Sequence, residues 1–533
     1  MNTGTSKQCL PWLNHFSKHV RPLLFLLSSL KPSVGIASSF LSRGATPRKR
    51  WTPQGEAEEA DALRAGLDPE LVSILSDRSR LESAFHELQR LNAVSETGNQ
   101  TYTLNEALAT RVLGSLEQNL PFWRDQALIV MYRGIPWKYL EMCKLEESFL
   151  PHLQHCLEAF HSHFDSLPVN IRTDLALSLV EASRFPGMQW KRFIVDQAEA
   201  AACGSDNWYL NSRVACSRSL LSRISQNDTG GTALLASEQN HSLGSVDQRV
   251  HAQLGFEKIE SSLNAIQKED LSKAKSALQS WTAYDQQCLS SLEEVVLFRH
   301  AILLGRILRY QGEFETSLRY INQAFEIQER RKDLTFNDDL RDLACDRADT
   351  LRELGLPHLA ETDLRAALEM QPPHLTSSGG GSLLDLSLAE ALFAQERFDE
   401  AERLCHEIGL RPRLLRFEKL RLHITLAKIY HVRRDWDRAF TSWSQALVAS
   451  QAFTMTNGHT TRMILRSMCS VLHALGNKRL LEDTQQQMKI LQDTARPGGI
   501  LYWVAGLRCW LDDLLSKEHG RLDSEGGGIP LNG

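Results

Sequence analysis

The chain of 533 residues contains no GxxxxGK[ST], no HExxH, no GxSxG and no CxxC. Lacking the first, it has no backbone cradle and lysine to meet nucleotide phosphates. Lacking HExxH and GxSxG, it has neither the paired histidines of a hydrolytic zinc site nor a nucleophile elbow. The ten cysteines are dispersed, which argues against a zinc site and fits reduced, mostly buried thiols of an intracellular protein. Long apolar runs are also missing. Leu23–Leu27 breaks at Ser28, Ser29, Lys31 and Pro32, far short of the roughly 18 residues a membrane span needs. A formal net charge of -5 argues against a general nucleic-acid binder.

Residues 1–50 lack Asp and Glu altogether and carry eight Lys or Arg. The composition allows a mitochondrial presequence, but the preferred reading is a short buried helix of a folded domain. Residues 44–60 run from Arg48-Lys49-Arg50 to Glu56, Glu58 and Glu59 and are expected to form a loop. A nuclear import signal is the alternative for that basic cluster.

Candidate chemistry stays at background. His161 and His163 are two apart and do not share a helix face. His152 and His155 are three apart and can, but read as surface or partly buried histidines. Asp338-Asp339 and Asp512-Asp513 are neighbours that point apart on a helix and read as capping or solvated carboxylates. No catalytic residue, metal or cofactor is expected.

What the sequence does have is a beat. Ala274, Ser317, Ala360, Ala401, Ala439 and Leu481 succeed one another at steps of 43, 43, 41, 38 and 42 residues. After each of the first five, two further core positions recur at helical spacing, as in Ala439, Trp443 and Ala446. A matching first helix precedes the middle four: Gly305 and Leu308, Ala348 and Leu351, Ala389 and Leu392, Ala427 and Tyr430. Small residues let two helices approach, and larger apolar ones fill the core between pairs. Residues 250–515 are thus expected to form a solenoid of five to six repeats. Trp503, Ala505, Leu507 and Trp510 are expected to form a closing helix, and residues 516–533 a disordered tail.

Residues 119–223 are all-helical in pattern, punctuated by Pro136, Pro151, Pro168 and Pro186, and read as less regular helical pairs. The polar stretch 224–249, with Gly230-Gly231, reads as an exposed loop. Gly379-Gly380-Gly381 reads as a flexible linker between repeats. Among the 11 tryptophans, Trp436 and Trp443 fit the inter-helix core, and core packing is also preferred for Trp123, Trp137, Trp190 and Trp208. Further forward, Ser79–Leu91 is helical, Thr97-Gly98-Asn99 turns between two short strands, and another helix starts near Asn105. Helix, hairpin, helix is the end of a winged-helix unit. Its wing carries Glu96 and no Lys or Arg, which argues against reading DNA.

The spacing of Ala427, Tyr430, Ala439 and Ala446 resembles the tetratricopeptide repeat, as does that of Gly305, Leu308, Ser317 and Ala324 with two substitutions. The period is longer than that family's usual 34, and its proline at the repeat end is missing. The resemblance implies a mostly α fold: a right-handed TPR-like α-solenoid, here preceded by a small winged-helix-like module in residues 1–118. Pro22–Pro32 and the helix–hairpin–helix behind it resemble the winged-helix part of NLR-like signal-transduction ATPases with numerous domains (STAND proteins). That family often has a nucleotide-contacting histidine after the hairpin; Asn105 stands there. The resemblance therefore implies a receptor-like protein without its nucleotide-binding domain.

The expected function is a non-enzymatic scaffold or adaptor that binds a peptide segment in the groove lined by the first helices. Candidate groove residues are Arg306, Arg309, Arg347, Arg352, Lys428 and His431, polar positions on those helices that are expected not to face the core. Their basic bias points to an acidic peptide or a carboxyl terminus as the partner. A protein partner, no nucleic acid, no membrane and a cytoplasmic location follow as expectations. The alternatives are a truncated NLR-like regulatory or sensor protein and an accessory protein of a fungal biosynthetic pathway.

Overall fold

The computed structural model describes residues 11–116, 119–139, 147–225, 247–334, 337–370, 380–412, 414–451, 453, 458–493, 499–512 and 514. The expected tail 516–533, nearly all of the expected loop 224–249, and Gly379, Asp338's side chain and Asp513 lie outside them. The chain divides into two compact units, residues 1–257 with 284–293 and residues 258–283 with 294–533.

The first unit opens with a short 3-10 helix, Pro11–His15, and then runs α1 (Arg21–Ser28), β1 (Ile36–Ala37), α2 (Ser38–Ala45), β2 (Arg48–Trp51), β3 (Ala57–Ala60), α3 (Pro69–Leu75), α4 (Arg78–Arg90), β4 (Val94–Gly98), β5 (Thr101–Leu104) and α5 (Glu106–Ser115). Four longer elements and one short one follow: α6 (Leu120–Arg133), α7 (Leu150–Glu158), α8 (Val169–Ala182), α9 (Met188–Ala202) and α10 (Trp208–Ser225). The apolar run of α1 is core as expected, with Leu23, Leu24 and Leu26 fully buried. Side-chain caps start the local helices: Asp68 accepts from the Leu71 amide at 3.0 Å, and Asp77 from that of Ser79 at 2.9 Å. Asn105 does the same for α5, accepting from the Leu108 amide at 3.2 Å.

The expected hairpin around Gly98 is present as β4 and β5, and β1 joins it as a third antiparallel strand in the order β1-β5-β4. Phe85 of α4 stacks on Tyr102 of β5 at 3.8 Å between ring centroids, fixing the helix to the sheet.

Residues 44–60 correct one expectation. They are not a loop but carry the hairpin β2–β3, in register Arg48↔Ala60 to Trp51↔Ala57. The basic and acidic runs are the two facing strands, and Arg50 meets Glu58 at 2.8 Å. Buried Arg133 ties the hairpin down by donating to the carbonyls of Gly44, Thr46 and Ala60.

The second unit is a TPR-like solenoid. Its helices are α11 (Gln248–Gln267) from residue 258 on, α12 (Leu271–Gln279), α13 (Ser291–Gln311) from residue 294 on, α14 (Phe314–Arg330), α15 (Asn337–Glu353), α16 (Pro357–Met370), α17 (Leu383–Ala394), α18 (Phe398–Gly409), α19 (Arg416–Val432), α20 (Trp436–Gln451), α21 (Gly458–Ala474) and α22 (Lys478–Asp493). Odd-numbered helices are the first members of their pairs. The turn joining each pair contains a residue of positive φ: Glu269, Gly312, Gly355, Glu396, Arg434 and Gly476. Each sits five residues before its repeat marker, from Ala274 through Leu481. The beat is therefore a backbone register as well as a packing register.

The small residues work as close contacts. A Cβ on Gly305 would lie 2.8 Å from Ile321 Cγ1 of the facing helix. Ser317 Oγ donates to the Gly305 carbonyl at 2.7 Å, and in the pair before it Ser262 Oγ donates to that of Ala274 at 2.9 Å. Ala348, Ala360, Ala389, Ala401, Ala427 and Ala439 are fully buried, and Trp443 fills the core between α19 and α20.

Candidate functional site

In the second unit the first helices carry charge on the face that a solenoid turns inward. α13 is basic there, with Arg299, Arg306 and Arg309; α15 is acidic, with Asp339, Asp346 and Asp349. Neighbouring helices pair them off. Arg299 reaches Asp339 at 2.8 Å, Arg306 reaches Asp346 at 2.7 Å and Arg309 reaches Asp346 at 3.1 Å. Arg421 of α19 holds Glu390 of α17 at 2.6 Å and Asp349 at 2.9 Å, and Arg352 joins the same two carboxylates at 2.6 Å each.

Burial alone would push Asp349 and Glu390 up, but the guanidinium groups outweigh it. Arg421, Arg352 and Arg309 hold Asp349 well below the usual carboxylate range, and Arg421 and Arg352 hold Glu390 below its own. Asp346 in turn raises the Arg306 guanidinium, against the opposing effect of burial. Lys428 has no such surplus of partners. Burial pulls it down to about 8, with Glu390 and Glu353 opposing. Burial likewise raises Glu353, the end residue of α15, against the Gly506 amide, Arg352 and Lys428.

Four of the six candidate groove residues are not solvated positions. Arg309, Arg352, Lys428 and His431 are buried, at 3%, 4%, 6% and 8% exposure. Arg306 and Arg347 are partly exposed, and Arg347 pairs with Asp363 at 3.3 Å. Arg306, Arg309 and Arg352 find acidic partners on neighbouring first helices, which only the structure in space reveals.

A second cause of their burial is a segment of the chain itself. Residues 499–512 lie across the first-helix face. The expected closing helix is only partly one: residues 507–512 are helical, whereas 499–506 form no regular element. The Leu501 amide donates to the Tyr310 carbonyl at 3.0 Å, and Arg309 donates to the Tyr502 carbonyl at 3.0 Å. Lys428 Nζ donates to the Gly506 carbonyl at 3.0 Å, while the Gly506 amide donates to Glu353. Gly506 has φ +76, and a Cβ there would lie 3.2 Å from Arg352. Arg508 donates to the Glu353 carbonyl at 2.6 Å.

Three aromatic side chains anchor this segment. Tyr502 packs on Phe314 at 5.3 Å and His459 at 5.7 Å, Trp503 between Phe417 at 5.2 Å and Phe453 at 4.8 Å. Trp510 meets His431 at 5.2 Å, Trp443 at 6.0 Å and Phe393 at 6.3 Å, and donates its indole N–H to Ser467 at 2.9 Å. The segment thereby touches five successive first helices, α13, α15, α17, α19 and α21.

Beside Trp503 a cavity of about 230 Å³ remains, lined among others by Arg306, Arg309, Asp346, Arg421 and Phe417. The buried Nε of Arg309 and of Arg352, and Oε2 of Glu353, have no hydrogen-bond partner among the described residues. Buried donors and acceptors without partners are uncommon and costly.

Among the described residues, no group of three or more His, Cys, Asp or Glu side chains is placed to hold a metal. His152 is buried, with Nε2 3.3 Å from the Gly35 carbonyl, and burial lowers it to about 4. The eight described cysteines are free thiols, and four of them are buried. No described helix is long and apolar enough to cross a membrane.

No family model matches the chain, and no curated protein matches it. Among solved structures it is similar to a Signal Transduction ATPase with Numerous Domains (STAND) protein with a tetratricopeptide repeat sensor, from Pyrococcus horikoshii. The identity is 13% and the TM-score 0.34, over 91% of this chain and 58% of that one. The chain thus spans less than two thirds of that protein's length. At this identity and TM-score the likeness assigns no activity to the chain.

Proposed function

We propose that this protein is a non-enzymatic protein-interaction module whose first-helix face binds a peptide segment of a partner. The observation that supports this reading is the way residues 499–512 lie on that face. The face takes an irregular stretch of chain through backbone bonds from Arg309, Glu353 and Lys428, and takes large aromatic side chains between its helices. Backbone bonds that set position, combined with pockets that select side chains, are how peptides are commonly recognised.

The test is a selection of displayed peptides on the full chain carrying Trp510→Ala, after its melting curve has established that it folds. Binders that are lost when Lys428→Ala is added support the reading. Binders indifferent to Lys428→Ala, Phe417→Ala and His431→Ala would place recognition elsewhere and overturn it.

A second reading is a shortened NLR-like regulatory protein. The strand order β1-β5-β4, with α4 packed on the sheet, supports a winged-helix-like module in front of the repeats. These 533 residues hold no GxxxxGK[ST], so on this reading a nucleotide switch lies outside them. Recovery of a GxxxxGK[ST]-bearing polypeptide with the chain, by native mass spectrometry from its own organism, supports this. A stable complex whose members all lack that motif counts against it.

A further inference from the structure

We infer that residues 499–512 are a tethered stand-in for the partner, and that the partner is a peptide with two aromatic anchors seven residues apart around a glycine. The inference rests on the peptide-binding reading above and adds the chemistry of the ligand and the need to displace the chain's own segment.

The spacing comes from the segment itself. Trp503 and Trp510 are its two deeply seated rings, and Gly506 lies between them. Gly506 is required for two reasons: its φ is positive, and its missing Cβ lets the backbone approach Arg352. Its carbonyl and amide meet Lys428 and Glu353, so the face reads this point through the backbone and the flanking points through aromatic rings.

Two features leave a competing peptide something to gain on this face. A cavity of about 230 Å³ is left against Trp503. Arg309 lines it with a buried Nε that has no acceptor among the described residues, and Glu353, under the same segment, keeps a buried Oε2 without a donor. An arriving peptide that places a carbonyl or side-chain acceptor at Arg309 gains a bond the resident segment does not make. The resident segment competes through proximity, since tethering gives it an effective concentration in the millimolar range. The face is therefore closed by default and opens to a partner that binds it better.

The test uses the full chain and a synthetic, fluorescently labelled peptide of residues 499–512. Fluorescence anisotropy compares the wild type with Trp503→Ala/Trp510→Ala, which keeps the face intact but removes the anchors of the tethered copy. The expected result is binding to the variant at least about tenfold tighter than to the wild type. Equal affinity for both, or no binding to a folded variant, overturns the proposal. Should the variant not fold, hydrogen exchange on the wild type decides. The amides of Leu501, Tyr502 and Gly506 are expected to exchange together and ahead of α19 and α21. Exchange only with global unfolding overturns it. The two readings fail differently: displayed peptides that bind the wild type as well as the anchor variant would leave the peptide face standing and remove the tethered occupant.

Discussion

Arg421 and Glu390, on the neighbouring first helices α19 and α17, form a two-point ion pair at 3.0 and 2.6 Å with both side chains buried. The pair sits beneath the face that residues 499–512 cover, and Asp349 and Arg352 complete it. Removing one member strands the opposite charges in a buried site. Arg421→Met is therefore expected to destabilise the fold by ~3–5 kcal/mol. Urea unfolding measures it, and a loss under about 1 kcal/mol would contradict the assignment.

Two turns of the solenoid hold a left-handed residue that is not glycine and is exposed. Glu396 has φ 62 and Arg434 has φ 60, where Gly312, Gly355 and Gly476 serve three of the other turns and the half-buried Glu269 the fourth. Glycine relieves the Cβ strain of that conformation, worth about 1–2 kcal/mol, and gives part of it back as unfolded-state entropy. Glu396→Gly and Arg434→Gly are each expected to be neutral to stabilising by up to ~1 kcal/mol. A clear loss from either in thermal denaturation would mean that the register argument is wrong.

Gly305 makes the opposite case. Ile321 on the facing helix leaves no room for a Cβ. Gly305→Val is expected to cost ~1–3 kcal/mol by forcing α13 and α14 apart. Gly476→Ala, with open space around the glycine but φ 70, separates strain from crowding as a control.

Lys428 gives the seated segment a pH dependence. It faces the Gly506 carbonyl, Glu353 and Arg352 of α15, Glu390 of α17 and Cys509. Burial lowers it to about 8 from 10.5. Seating of residues 499–512 adds to that burial, so the seated state binds fewer protons than the released state and seating strengthens as pH rises above about 8. Below about pH 8 both states are protonated and Lys428 contributes no slope. The labelled peptide is expected to bind the anchor variant several-fold tighter at pH 9.5 than at pH 7.5, a change that Lys428→Met abolishes. A gain unaffected by Lys428→Met would trace instead to Cys509 or Tyr502 of the peptide.

The repeat register was legible because it rests on local facts. Ala274 to Ala439 recur at nearly constant steps, and small residues announce a close helix crossing wherever they fall. The helix–hairpin around Gly98 was legible for the same reason. The hairpin of residues 48–60 was not. Its opposite charge runs were visible, but the anchor is Arg133, more than 70 residues away, and periodicity carries no trace of that contact. The candidate groove residues were expected to be solvated, whereas four of the six are buried. Arg309 and Lys428 look like solvated charges in sequence; only the fold brings Asp346 and Gly506 to them. Trp503 and Trp510 were read as members of a closing helix, not as anchors of a segment that crosses five helices; only 507–512 are helical.

The most direct measurement places a photoreactive benzoylphenylalanine at Phe417, whose ring packs 5.2 Å from Trp503. Illumination of the full chain alone should cross-link that position to residues 499–512. Adding a peptide selected for binding should transfer the cross-link to the peptide in proportion to occupancy. An intrachain cross-link undiminished at saturating peptide would contradict the claim that partner and resident segment share this face.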